Sequence, residues 1–152
     1  MIQNLQLKRV PRNQSLPLSV VQYRVWFLTQ LDPTSIHFNI NKAFRVKGDL
    51  QEELFEKSLN EIVSRHESLR TVFQMRDQEP EQIILDQLFI PIQRNDLRSM
   101  NEVDRETQAL SLMNKEILIP FSLETGPLLR VSMYKLGDEE RILLFTIHHI
   151  VC

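Results

Sequence analysis

Three stretches of the chain carry apolar residues at helical spacing. The first begins at Ser19, whose hydroxyl can accept a hydrogen bond from a free N–H of a first helical turn. Val21, Val25 and Leu28 then recur at that spacing, and Pro33 stops the helix near Leu31. The second places Leu54, Phe55, Leu59, Ile62 and Val63 in one stripe, leaves Glu52, Glu56, Lys57 and Glu61 outside, and takes Asp49 as its cap. The third runs from Glu102 to Ile117 with Val103, Leu110, Met113 and Ile117 on its face, and Pro120 follows it.

Strand patterns fill the intervals. Residues 40–47 carry Ile40, Ala43, Phe44 and Val46 and close at Gly48-Asp49. Short strands are expected near Thr71–Met75, Gln82–Leu85 and Ile90–Gln93, with Asp77–Glu81 as the turn between the first two. Leu129, Val131 and Met133 alternate within 128–136, and Gly137-Asp138 turns the chain into Arg141–Ile150. That last segment is apolar on both faces through Ile142–Phe145, so it belongs at the buried centre of a sheet. The order of elements predicts an α/β protein, in detail an α+β sandwich with helices packed on a mixed sheet.

With 152 residues, 42% hydrophobic and 25% charged, the chain fits one soluble domain. A formal net charge of −2 offers no basic patch for nucleic acid. Cys152 is the sole cysteine, which excludes an intrachain disulfide and fits a reducing, cytoplasmic setting. The longest apolar run, 142–145, is far short of a membrane span. Lys8, Arg9 and Arg12 precede no apolar stretch, so residues 1–15 read as a flexible arm rather than a secretory signal, and 16–152 as the folded part. Three glycines leave no room for a glycine-rich phosphate loop.

His148-His149 is the foremost candidate for chemistry. Neighbouring strand residues point to opposite faces, so the two rings cannot share one small ligand or a metal, and no cysteine or carboxylate cluster adds ligands. One histidine should face a cleft and the other the interior. Histidine suits proton transfer near neutral pH, but a strand-end histidine is equally a hydrogen-bonded structural residue, and residue type alone leaves both open. Arg65-His66-Glu67 with Arg70 marks the end of the second helix, where cations complement the helix dipole. Gln22, Arg24 and Trp26 lie on the first helix: Trp26 reads as core, and Arg24 as a cation that pairs or snorkels. No Gly-x-Ser-x-Gly elbow is present, and Cys152 is poorly placed as a nucleophile.

Taken together and in this order, these segments resemble the condensation domains of nonribosomal peptide synthetases. LPLSVVQYRVWFLTQLDP is similar to their first motif through Ser19, Gln22, Arg24, Trp26 and Leu28, with Val21 where the family commonly has alanine. RHESLRTVF resembles the second motif without a gap, and LLFTIHHIVC the start of the third, His-His-x-x-x-Asp-Gly. FNINKAFRVKG and FSLETGPLLRV also look like the family. The resemblance implies the N-terminal subdomain of a chloramphenicol acetyltransferase-like fold, a CoA-dependent acyltransferase-like architecture. It implies carrier proteins as partners, whose phosphopantetheine arms bring a donor thioester and an acceptor amine together to form an amide, with no cofactor held by the domain itself. His149 would be the catalytic residue, His148 a structural one, and Arg65 a buried arginine paired with the motif's aspartate and supported by Arg70. Ser19, Gln22, Arg24, Trp26 and His66 would be structural motif residues.

The sequence ends before that aspartate and before the C-terminal subdomain. A buried Arg65 without its partner would cost several kcal/mol, and an uncovered apolar face would favour association. The expectation is therefore a part of a condensation domain, inactive alone. The alternatives are half of a split enzyme completed by a separate C-terminal half, a non-catalytic carrier-docking module, or a small CoA-dependent acyltransferase with sites between subunits.

Overall fold

The computed structural model describes residues 10, 11 and 15–152, so most of the expected 1–15 arm lies outside the described residues. The elements are β1 (Leu16–Pro17), α1 (Val20–Leu31), β2 (Asn39–Lys47), α2 (Glu52–Arg65), β3 (Thr71–Arg76), β4 (Glu79–Ile84), β5 (Ile92–Asp96), α3 (Glu102–Ile117), β6 (Leu129–Lys135) and β7 (Glu140–His148). Short 3-10 turns span Glu67–Arg70 and His149–Val151.

The larger sheet has the order β2-β7-β6-β5. β7 is antiparallel to both its neighbours, while β5 is parallel to β6. A parallel neighbour cannot be reached by a tight turn, and the chain crosses through α3 to make that pair. The sheet is mixed, as expected, and β7 is interior. On one face Leu143, Leu129, Val131 and Met133 pack with Leu59 and Val63 of α2. On the other, Ile142, Leu144 and Tyr134 pack with Ala109 of α3. A second sheet, β1-β4-β3, sits on the loop 121–128 through Phe73 N–H, which donates to the Leu123 carbonyl at 2.8 Å.

Several local details differ from the sequence pattern. Ser19 does cap α1, in a reciprocal capping box with Gln22. The buried face of α1, however, is Val25, Trp26 and Thr29, while Val21 and Leu28 are exposed. The helix is apolar on several sides, and the cluster of Phe73, Phe121, Leu123 and Ile150 selects the side that carries the indole. Asp49 does not cap α2: the cap position is Gln51, without a side-chain bond, and Glu52 and Glu53 supply the negative charge of the first turn. Nor do Glu52 and Glu56 simply face water. Glu52 bonds Arg141 at 3.1 Å, and Glu56 accepts from Ile92 N–H and from Arg94, each at 2.8 Å.

On α3 the buried positions are Ala109 and Glu116, with Met113 and Ile117 partly covered and Val103 and Leu110 exposed. Alanine at the centre of the contact lets the helix approach the sheet, which rotates Val103 and Leu110 outward. The β3–β4 turn is tighter than expected, since Asp77 and Gln78 both have positive φ, 49° and 70°. Two such residues match the right-handed strand twist of a two-residue hairpin, so Pro80 and Glu81 fall within β4 instead of the turn.

Phe73 is 1% exposed and joins α1 to the end of β7 through one cluster. Phe73→Ala should lower stability by about 3–5 kcal/mol in chemical denaturation. A loss below about 1 kcal/mol would mean that this cluster is not a core.

Candidate active site

β7 ends at His148, and the chain leaves the sheet in the 3-10 turn His149–Val151. The two histidines diverge at this break, rather than by strand alternation carried through both residues. His148 is 2% exposed, whereas His149 is exposed. Backbone bonds fix the junction: His148 N–H donates to the Leu128 carbonyl at 3.0 Å and His149 N–H to the Phe38 carbonyl at 2.8 Å.

His148 lies between two rings, with the centroid of Phe38 at 6.0 Å and that of Phe121 at 5.9 Å, the latter edge-on. Its Nδ1 accepts from Ile150 N–H at 3.3 Å, so the ring is a neutral tautomer with its proton on Nε2. Burial among apolar rings pushes the imidazole down to about 4, and the neighbouring His149 adds to the effect. His148 is therefore a neutral support for the turn at ordinary pH. Ile150 and Val151 anchor the same turn into the cluster of Val25, Trp26 and Phe73.

His149 opens onto a cavity of about 260 Å³ lined also by Ser19, Val21, Gln22, Val25, Ile150 and Cys152. The N-terminus of α1 thus forms the opposite wall. Gln22 links the walls: its Nε2 donates to the Ile150 carbonyl at 3.5 Å and to Gln82 Oε1 at 3.1 Å, and its Oε1 accepts from Ser19 N–H. Trp26 packs beneath, tilted against Tyr23 at 5.9 Å, while Arg24 on the far side of α1 is exposed.

The second cluster is arranged differently from the expectation. Arg65 is not a buried cation. Its side chain is 72% exposed and pairs with Glu61 at 2.7 Å, one turn back on α2. The buried stripe of α2 passes through Leu59 and Val63, and two residues further round the helix Arg65 points to water. The expected penalty of an unpaired buried Arg65 does not arise. Arg70 is the enclosed arginine, at 16% side-chain exposure, with Nη1 donating to the Leu85 carbonyl and Nη2 3.9 Å from Glu67. Leu85 N–H returns a bond to the Arg70 carbonyl at 2.9 Å, so Arg70 fastens the end of β4. His66 is exposed at the junction of α2 and the following turn.

Other residues of the site carry weaker signals in the sequence. Phe38 and Phe121 lie in family-like segments that read as structural. Arg130 bonds Glu116 at 2.7 Å and sits 3.9 Å over the Phe121 ring, bracing the ring that supports His148. Gln82 belongs to no motif at all. Among the described residues no cluster of His, Cys, Asp and Glu could hold a metal, and no helix is long and apolar enough to cross a membrane.

Residues 12–152 match the family model described as Condensation domain. This chain belongs to the condensation-domain family. A linear gramicidin synthase from Brevibacillus parabrevis is 46% identical over 142 residues, which are 93% of this chain and 2% of that protein. Phosphinothricin tripeptide synthetase PhsC of Streptomyces viridochromogenes is 38% identical over 136 residues, 90% of this chain and 12% of that protein. The chain therefore spans a small share of its curated relatives. Among solved structures, the starter condensation domain of rhizomide synthetase superposes with a TM-score of 0.82 at 24% identity, over 91% of this chain and 34% of that one. A four-domain nonribosomal peptide synthetase bound to AMP and glycine gives 0.79 at 26% identity, over 98% and 11%. The CoA-dependent acyltransferase-like architecture expected from the motifs is thus the fold of this condensation-domain segment.

The buried His148 gives the domain a pH dependence of known sign. Above 6.5 the ring is neutral in both folded and unfolded chains, and its contribution to stability is fully present. As pH falls from 6.5 towards 4 the unfolded chain binds a proton that the folded one refuses, so stability drops. The loss should total about 3 kcal/mol and level off below pH 4. Denaturation midpoints across this range, compared with His148→Gln, should show a shallower slope in the variant, the remainder coming from carboxylates such as Glu56 and Glu106 that their arginine partners hold below the usual range. An unchanged slope would exclude His148 as its source.

Proposed function

We propose that this condensation-domain segment carries the amide-forming histidine of a nonribosomal peptide synthetase, with His149 meeting the acceptor amine. The observation that bears most weight is the asymmetry of the pair: His148 is buried, neutral and hydrogen-bonded, while His149 stands exposed over a cavity walled by α1. In the reaction, the amine of a carrier-bound amino acid attacks the carbonyl of a donor thioester. The C–N bond forms, the C–S bond breaks, the donor's thiol leaves, and the amine gives up a proton. The imidazole at position 149 can orient the amine or take that proton.

The substrates arrive on phosphopantetheine arms of partner carrier proteins, and the chain binds no cofactor of its own. Nucleic acid and membrane play no part, and the setting is cytoplasmic. Residues 16–152 form the N-terminal part of the domain. Ser19, Gln22 and Trp26 act structurally by fixing the wall opposite His149, as do Arg70 and His66 at the end of α2. Arg65, exposed here, is available to a carboxylate supplied by the C-terminal part of a condensation domain. That part also offers a cover for the apolar residues of α1 that face water, Val20, Val21, Leu28 and Leu31. Supplied as a separate chain, it would make this protein half of a split enzyme.

An assay with two loaded carrier proteins tests this reading. The chain alone should yield no amide. Joined to the C-terminal part of a homologous condensation domain it should yield product, and His149→Ala should lower the rate at least about 100-fold. Carrier binding without product in either form would favour a docking module. Histidine-dependent product from the chain alone would overturn its assignment as an incomplete site.

A further inference from the structure

Gln82 lies in β4, outside every motif of the sequence, between Leu16 of β1 and Phe73 of β3 in the sheet register. Its Nε2 donates to the Pro17 carbonyl at 3.0 Å, and its Oε1 accepts from Gln22 Nε2 at 3.1 Å. Gln22 in turn donates to the Ile150 carbonyl at 3.5 Å and accepts from Ser19 N–H at 2.9 Å. The two ends of this chain of amides have fixed polarity. A carbonyl of Pro17 can only accept, and the backbone N–H of Ser19 can only donate. Only one orientation of each glutamine side chain satisfies both ends, so donation runs in one direction, from Ser19 at the cap of α1 through Gln22 and Gln82 to Pro17 of β1, and Gln22 Nε2 also donates to the histidine turn at the Ile150 carbonyl.

At its far end the relay completes a grip on one residue. Ile150 N–H is held from inside by His148 Nδ1, and the Ile150 carbonyl is held from the cavity side by Gln22. Ile150 follows His149 directly, so fixing both its polar groups fixes the backbone that carries the exposed imidazole.

We propose that Gln82 is a positioning residue for His149: by orienting the Gln22 amide it holds the His149–Val151 turn in place. This deepens, and rests on, the reading of His149 as the group that meets the amine. The two glutamine bonds separate by substitution. Gln82→Glu keeps an acceptor for Gln22 and loses the donor to Pro17. Gln82→Met loses both at nearly the same shape.

The experiment is NMR on the isotopically labelled chain, reading the His149 imidazole resonances and the exchange of the Ile150 amide. Q82M should shift or broaden the His149 signals and speed Ile150 exchange about fivefold, the population change of one net hydrogen bond. Q82E should keep both near wild type although β1 is loosened. Wild-type signals in Q82M overturn the proposal. So does Q82E behaving like Q82M, because the role of Gln82 would then be confined to Pro17. Should Q82M fail to fold, Q82L takes its place with the same two outcomes, and displaced His149 signals in Q82E still overturn the relay. No carrier protein enters the measurement, so its outcome is distinct from the presence or absence of amide formation.

Discussion

A strand that is apolar on both faces must be covered twice, and β7 is such a strand. Leu143 looks towards α2, Ile142 and Leu144 towards α3, and the layers on either side are arranged by that requirement. The crossover through α3, the parallel pairing of β5 with β6 and the burial of β6 all follow from closing the second face. The same strand delivers His148 into the interior and releases His149 at its end. Because the turn begins where the sheet stops, the site inherits the rigidity of the core up to the residue before the exposed imidazole.

Polar groups do the remaining positioning, and most act on backbone rather than on each other. Asn60 bonds both the N–H and the carbonyl of Ile90, Glu56 takes the N–H of Ile92, and Arg70 takes the carbonyl of Leu85. Each ties an irregular or strand-end segment to an element that the hydrophobic clusters already hold. Arg130 works similarly at the end of α3, where it accumulates Glu116, the Ile119 carbonyl and the Phe121 face. Such bonds are individually modest, but a loop that would otherwise sample several conformations is left with one.

The sequence pattern was most legible where periodicity and burial coincide. The bounds of α3, the central place of β7 and the cap at Ser19 could be read because a stop, a two-faced apolar run and a hydroxyl each have one physical meaning. The face of α1 could not, because Val21, Val25, Trp26 and Leu28 admit more than one stripe and only the partner surface chooses among them. Arg65 and Arg70 differ by five positions and by nothing in composition. Which of them is enclosed depends on where α2 ends and on how β4 returns, and both are tertiary facts. The division of labour between the histidines was visible as a pair with unequal roles. Its cause, the end of a strand between them, was not. Gln82 was illegible for the plainest reason: a glutamine in a short strand becomes meaningful only when its neighbours on β1 and α1 are known.

The indole of Trp26 has a consequence beyond packing. It is the single tryptophan of the chain, it is 8% exposed, and it shares its cluster with Ile150 and Val151 of the histidine turn. The protein therefore contains one indole fluorophore, excitable apart from its two tyrosines and set against the turn that carries His149. Loosening of that segment would admit water to the indole and move its emission to longer wavelength. The disposition of His149 can thus be followed optically, in dilute solution and without a label.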